Sequence, residues 1–227
     1  MCGRYGFIRS PEELQQEWGR LHVRGDFPLS YNRAPGQVHP VVRQAPDLSL
    51  ELVPMRWGFL PDWSTRTHIR PIHARAETVA TQPLFREAFR ARRAMVPADC
   101  YFDWPFIPED PAEKHPVLIR AQDHHILALA AIWDQHTTAE GQTEETFAII
   151  TVPALPALRH IHERMPLVLD RNHWPLWWHP HARRTHLEPC FQPADFSWET
   201  FPVSPQVNCT RYDMPEAVLP WNGTIPD

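Results

Sequence analysis

Proline is the residue that most restricts what this chain can fold into, because 26 of its 227 residues are Pro and only 8 are Gly. Average proteins contain more Gly than Pro. Since Pro lacks a backbone N–H and stops helix interiors, the segments between prolines have the length of strands or single short helices. A long-helix architecture is therefore excluded. The composition also argues against low-complexity disorder, since 10 Trp and 11 Phe are a large apolar content for a disordered chain.

Two short helices are predicted in the first half of the chain. Segment 10–21 carries helix-start signals, with Ser10 as N-cap, Pro11 at the first helical position and Glu13 three residues after the cap. Segment 84–96 has apolar residues on one side and arginines elsewhere. Both segments are interpreted as packing helices without chemistry.

The longest proline-free stretch predicts the centre of the fold. It contains three β-rich runs at 117–121, 125–133 and 146–152, with a polar turn at 137–143. Runs that are apolar at successive positions are typical of strands buried on both faces, as in a barrel or sandwich. We expect one α+β domain over residues 1–227, with a β-rich, barrel-like centre flanked by short helices. The remaining predicted elements are short helices at 154–161 and 172–178 and a last strand near 201–208.

The formal net charge of −5, taken alone, argues against a nucleic-acid partner, since phosphate binding depends on Lys and Arg. The charge is unevenly spread. Residues 1–93 hold 14 Arg against 9 acids, a balance of +5, whereas residues 94–227 hold 8 basic residues against 18 acids, a balance of −10. Lys114 is the only Lys, and Arg is the cation that forks onto phosphate and stacks on bases. A codon bias toward Arg would explain the same excess.

The sequence indicates a protein of a reducing compartment, and the expected location is the cytoplasm. No signal peptide or apolar span of about 20 residues is found. The four cysteines have no CxxC spacing, so neither a disulfide framework nor a zinc site is predicted. We expect no metal, no cofactor, no membrane partner and a monomer.

Cys2 is the candidate nucleophile. A small residue after Met1 makes that Met a substrate for removal, which leaves Cys2 with an α-amine and a thiol on adjacent carbons. The α-amine, with a pKa of about 7.7–8.0, is partly unprotonated near neutral pH and forms a Schiff base with an aldehyde. The thiol then closes a thiazolidine ring, so Cys2 is a candidate aldehyde trap. Alternatively, Cys2 is an arbitrary residue after the start codon.

Six ordered segments favour the aldehyde trap. They are MCGRY at 1–5, YNRAPGQ at 31–37, RWGFLPDW at 56–63, IHARAET at 72–78, DCYFDW at 99–104 and IHERMP at 161–166. Their identity, order and spacing resemble the SRAP family, the SOS response-associated peptidase or abasic-site processing proteins, over nearly the whole chain. The resemblance implies the SRAP fold and binding to single-stranded DNA that contains an abasic site. It also implies a covalent thiazolidine crosslink that shields the lesion in the DNA damage response, with lyase-like activity and self-removal of Met1.

The resemblance assigns four residues to the chemistry. Cys2 matches the family nucleophile and His162 matches the active-site histidine, which would move protons during imine formation. His73 stands where the family pattern has Asn, and Asp103 stands where it has Glu. The shorter acid withdraws the carboxylate by about 1.5 Å. The two departures either slow the rate-dependent steps or compensate for each other.

The resemblance also assigns DNA contacts. The arginines and Thr151 are expected on phosphates around the lesion, and Asn32 and Pro35 along the same groove. Trp63 is expected to stack on a neighbouring base, with packing in the core as the alternative. A bound protein would be nucleoid-associated. The seven positions are Arg4, Asn32, Pro35, Trp63, Arg75, Thr151 and Arg164.

Two other functions remain open from the sequence. The first is a noncatalytic module that binds single-stranded DNA or lesions, in which His73 and Asp103 mark a decayed site. The second is an N-terminal-nucleophile amidohydrolase, because glutamine amidotransferases of that class also begin MCG. The chain has no HNG-type segment that such an enzyme would use.

Overall fold

The computed structural model describes residues 2–65, 68–105, 115–138 and 140–223. The thirteen strands of the described residues form two sheets that pack around one main core, with a smaller cluster on the outer side of the second sheet. In chain order the strands are β1 Arg4–Phe7, β2 His22–Val23, β3 Ser30–Arg33, β4 Val38–Gln44, β5 Leu50–Trp57, β6 His73–Arg75, β7 Arg93–Ala98, β8 Cys100–Asp103, β9 Val117–Ala121, β10 Leu127–Thr137, β11 Thr143–Pro153, β12 Arg164–Pro166 and β13 Trp198–Pro202. The helices are α1 Pro11–Trp18, α2 Arg86–Ala91 and α3 Trp174–Trp178.

Five strands close into a barrel, which confirms the predicted β-rich centre. The order β11, β10, β7, β4, β5 is antiparallel throughout, and β5 then pairs with β11 in parallel, with Trp57 opposite Phe147. The second sheet has the order β13, β9, β8, β1, β3. Tyr5 of that sheet and Trp57 of the barrel share the main core, with ring centroids 5.6 Å apart.

The two halves of β11 have different parallel neighbours, and this arrangement positions the site. β5 pairs with Thr146 and Phe147, whereas β6 pairs with residues 149–151. The chain leaves the barrel at Gly58, whose φ of +137° lies in the region that favours glycine. It returns as β6, so His73 enters the sheet two residues beyond the end of the β5 pairing.

The helix over 10–21 is confirmed but ends earlier than predicted. Ser10 and Glu13 form a reciprocal capping box, and the helix stops at Trp18, before Gly19. The helix over 172–178 is confirmed by a 3-10 turn at Arg171–His173 that continues into α3.

Three predicted elements need correction. The helix over 84–96 is only α2, because residues 93–98 form the fully buried β7 between β10 and β4, so pairing on both sides overrides the helical pattern. Residues 154–161 form turns, because they connect the antiparallel β11 and β12, whose pairing continues where Ala154 donates to the carbonyl of Glu163. The last strand is β13, and a 3-10 turn at Pro205–Asn208 takes the place of its predicted second half.

Among the described residues, no helix is both long and apolar enough to cross a membrane.

Candidate functional site

The fold brings the beginning of the chain to the end of β8. β1 and β8 are antiparallel, with Arg4 opposite Phe102 and Tyr5 opposite Tyr101. Cys2 precedes β1 and is therefore carried to Asp103, the last residue of β8, whose carboxylate acts electrostatically on the thiol. Both side chains are buried, Cys2 fully and Asp103 to within 1%. We call Cys2, Asp103 and His73 the Cys2 site.

His73 reaches the Cys2 site from the barrel side. Its Nε2 donates a 2.6 Å hydrogen bond to the carbonyl oxygen of Cys2. Because a carbonyl only accepts, the neutral ring carries its proton on Nε2. The ring lies edge-on to the buried Trp57 at 6.2 Å, and the Trp57 indole donates to the carbonyl of Ile72 at 2.9 Å. Trp57 thus supports both the ring and the backbone of β6.

Burial sets the charge states of the Cys2 site. It raises the pKa of the Cys2 thiol well above its usual range, and the Asp103 carboxylate adds to that effect. Burial also lowers the pKa of His73 to about 4, so the imidazole is neutral at pH 7. Asp103 accepts a 2.9 Å hydrogen bond from the backbone N–H of Trp104. At rest the site therefore holds a protonated thiol and a neutral imidazole donor.

Arg4 and Asn32 are occupied by the protein itself. The Arg4 guanidinium donates to Asn32 Oδ1 at 3.0 Å and to the carbonyls of Val207 and Asn208 at 2.8 and 3.0 Å. The Asn32 amide donates to the carbonyls of Val207, Cys209 and Tyr212 at 3.1, 3.2 and 2.8 Å. These two side chains fasten the segment 204–213 beside the Cys2 site.

The 204–213 segment is a part of the site that sequence reasoning missed. It lies about 175 residues from Asn32 in the chain, and its backbone carbonyls make the contacts. Asp213 completes the attachment by accepting from the backbone N–H groups of Tyr31 and Asn32. A backbone carbonyl can belong to any residue type, so these contacts cannot be recognised in the sequence. Only the Asp213 contact depends on a particular side chain.

Thr151, Arg164 and His162 lie together where β11 and β12 pair. The Arg164 guanidinium donates to the carbonyl and hydroxyl oxygens of Thr151 at 2.6 and 3.1 Å. His162 Nδ1 accepts from the backbone N–H of Arg164 at 2.9 Å, which leaves Nε2 to carry the proton of a neutral ring. β6 places Arg75 opposite Thr151 on the other side of β11.

Glu77 is a second residue that sequence reasoning missed, although it lies in the IHARAET segment. Its carboxylate pairs with both terminal nitrogens of Arg164, at 2.6 and 3.0 Å. The hydrogen bonds from Arg164 lower the pKa of Glu77, whose side chain is 47% exposed. A bidentate carboxylate occupies the face of the guanidinium that a phosphate would take. Arg75 is exposed, and its side chain makes no hydrogen bond or ion pair with the described residues.

The structure does not bring Trp63 to the Cys2 site. Trp63 is 62% exposed and shares a surface pocket with Thr137, where the backbone N–H of Thr137 donates to Asp62. That position is at the far end of the β10–β11 hairpin, about 25 Å of strand from Thr151. Pro35 is half-buried in the turn between β3 and β4.

Comparison with known proteins gives the same assignment as the six segments. A family model described as SOS response associated peptidase (SRAP) matches residues 1–210. The abasic site processing protein YoqW of Bacillus subtilis (strain 168) is 29% identical over 225 residues, covering 96% of this chain and 99% of YoqW. The abasic site processing protein YedK of Escherichia coli (strain K12) is 30% identical over 230 residues, covering 97% and 100% of the two chains.

The fold is matched as well. A crystal structure of a protein from Bacteroides thetaiotaomicron aligns with a TM-score of 0.80 at 25% identity, covering 90% of this chain and 93% of that one. The barrel and its partner sheet are therefore an architecture that solved structures share. By its sequence match over residues 1–210, this chain belongs to the SRAP family.

Proposed function

We propose that this protein captures abasic sites in single-stranded DNA by forming a thiazolidine between Cys2, freed by removal of Met1, and the aldehyde of the ring-opened sugar. The observation that carries the proposal is the placement of Cys2, the second residue of the chain, between the Asp103 carboxylate and the His73 imidazole. The names of YoqW and YedK, as abasic site processing proteins, support it.

The chemistry proceeds in two balanced steps. The α-amine of Cys2 adds to the aldehyde carbon, and loss of one water gives an imine. The thiol sulfur then bonds to the imine carbon while the C=N electron pair moves to nitrogen, which takes the proton that leaves the thiol. His73 fixes the Cys2 backbone through its carbonyl. Asp103 accepts a proton from the amine, and His162 supplies one to the departing water through Nε2.

The test compares one oligonucleotide in two forms. Single-stranded DNA with one abasic site is incubated with the protein, either with the aldehyde intact or after its reduction with borohydride. We expect a denaturation-resistant complex with the aldehyde and none with the alcohol. Intact mass spectrometry must first show that Met1 is absent. A protein without Met1 that yields no such complex overturns the proposal, and binding to the reduced DNA in that case would favour the noncatalytic module.

DNA binding gives a second prediction, which concerns Glu77. If Arg164 contacts a phosphate, the Glu77 carboxylate must leave the guanidinium, and its charge opposes the DNA. Glu77→Gln is therefore expected to bind the reduced oligonucleotide about three- to tenfold more tightly at 50 mM salt. The affinity should also fall more steeply with salt, by about 0.7 in the log–log slope for one added phosphate contact. Fluorescence anisotropy between 50 and 200 mM NaCl measures both quantities.

Glu163→Gln is the matched control for Glu77→Gln. Glu163 is exposed and adjacent to Arg164 in the chain, and among the described residues its carboxylate forms no ion pair. The Glu163→Gln variant removes the same charge as Glu77→Gln but does not release the Arg164 guanidinium. Equal gains from the two variants would mean that only net charge matters, contrary to the prediction.

A further inference from the structure

One buried hydroxyl in the core cluster that contains Cys2 has no hydrogen-bond partner among the described residues. The phenol oxygen of Tyr101 is buried, and no donor or acceptor among the described residues reaches it. The residue is 1% exposed, and its ring lies edge-on to Trp198 with centroids 6.3 Å apart. Buried polar groups are nearly always paired, and an unpaired one destabilises the fold. A buried hydroxyl without a partner is free to donate to a group whose charge develops during a reaction.

The neighbouring Tyr5 shows that a hydroxyl in the same core can have a hydrogen-bond partner. Tyr5 lies directly opposite Tyr101 across the β1–β8 pair. Its hydroxyl donates to His39 Nδ1 at 2.9 Å, and His39 Nε2 in turn donates to the carbonyl of Ala34 at 2.9 Å. The two phenols differ in pairing although they share a strand register and a core.

Strand alternation places the Tyr101 hydroxyl with the reacting groups. Residues 101 and 103 of β8 point to one face, whereas Cys100 and Phe102 point to the other, into a separate cluster. Tyr101 and Cys2 belong to the same core cluster. Cys2 and Asp103 are the two titratable groups that act electrostatically on the phenol. Burial raises the pKa of Tyr101 well above its usual range, so the phenol keeps its proton for donation.

We infer that Tyr101 is a further catalytic residue, whose hydroxyl donates a hydrogen bond to the Cys2 sulfur as the thiazolidine ring closes. The inference rests on the proposed function. In the closing step the S–H bond breaks and negative charge develops on a sulfur whose surroundings disfavour it: the site is buried, and Asp103 is near. A donor aimed at that charge stabilises the transition state more than the imine ground state.

Tyr101→Phe removes only the hydroxyl and keeps the ring packing. We expect the unreduced crosslink to form about ten- to hundredfold more slowly. Borohydride added during the reaction traps the imine, whose formation does not use the sulfur, so trapped product should form at the wild-type rate. The melting temperature should be unchanged or higher, because no existing hydrogen bond is lost.

Tyr5→Phe is the matched control, since it removes a hydroxyl that has a partner. This variant should melt at a lower temperature and close the ring at the wild-type rate. Wild-type ring closure by Tyr101→Phe overturns the inference, and so does an equal loss of trapped and unreduced product, which would indicate a structural role. A wild-type protein that gives neither product contradicts the proposed function itself, so the two failures are distinguishable.

Discussion

Replacing Cys2 with Ala is expected to lower the yield of the denaturation-resistant complex with abasic DNA by at least a hundredfold. The variant keeps an α-amine after removal of Met1, so it still forms an imine. Without a sulfur no ring closes, and the imine hydrolyses on denaturation. Borohydride should therefore restore a covalent band in the variant. Gel electrophoresis with and without borohydride measures both outcomes, and affinity for the reduced oligonucleotide should stay within about twofold of wild type.

Cys209→Ala is the control that separates Cys2 from the other reactive thiol. Cys209 is exposed, and hydrogen bonding from the backbone of Arg211 lowers its pKa. Its carbonyl accepts from the Asn32 amide at 3.2 Å, and the same side chain accepts from Arg4, two residues after Cys2. At rest it is the better nucleophile of the two. Loss of the complex in Cys209→Ala but not in Cys2→Ala would contradict the assignment of the nucleophile.

The sequence allowed prediction of those site residues that lie within short recognisable segments. Cys2, His73 and Asp103 belong to three different segments, and each segment lies within a strand or next to one that reaches the same place. The contacts that escaped prediction depend on tertiary structure. The Arg164–Glu77 pair joins residues 87 positions apart, and the orphan Tyr101 hydroxyl is defined only by what does not reach it.

The secondary structure was predicted correctly where the local propensity of the sequence agrees with the pairing of strands in the tertiary structure. The run 117–121 is β9 itself, and the Ser10 cap starts α1 as expected. Residues 93–98 show the opposite case. Their local sequence continues the pattern of α2 as far as residue 96, before Pro97, but β4 and β10 offer two rows of backbone partners, and six successive residues are buried between them. Over residues 93–96, burial and pairing outweigh a difference in helix propensity that is below about 1 kcal/mol per residue.

Two neutral, largely buried histidines make the folded protein sensitive to acid. His39 is fully buried with both ring nitrogens in hydrogen bonds, and burial lowers its pKa to about 3. Burial also lowers the pKa of His73 to about 4. In the unfolded chain both pKa values return to about 6.5. Since the unfolded state then binds more protons, the stability present above pH 6.5 is lost as the pH falls toward the folded values.

The expected loss is large. At pH 5 each histidine destabilises the folded state by about 2 kcal/mol, from 1.36 kcal/mol per pKa unit over the 1.5 units below 6.5. The free energy of unfolding should therefore fall by about 4 kcal/mol between pH 7.5 and 5, out of a typical 5–15 kcal/mol. Urea unfolding at several pH values measures the fall. Asp99 and Asp134, whose pKa values burial raises, act in the opposite direction.

A comparison with His39→Gln isolates the contribution of His39, because the carboxylates are the same in both proteins. A glutamine amide can donate to Ala34 and accept from Tyr5, but it cannot titrate. The variant loses ring contacts with Tyr5, Trp57 and Phe147, so it is less stable at pH 7.5. Its stability should nevertheless fall by about 2 kcal/mol less than wild type between pH 7.5 and 5. His160→Gln, at an exposed position, should keep the wild-type slope. A wild-type slope in His39→Gln would show that acid acts elsewhere in the molecule.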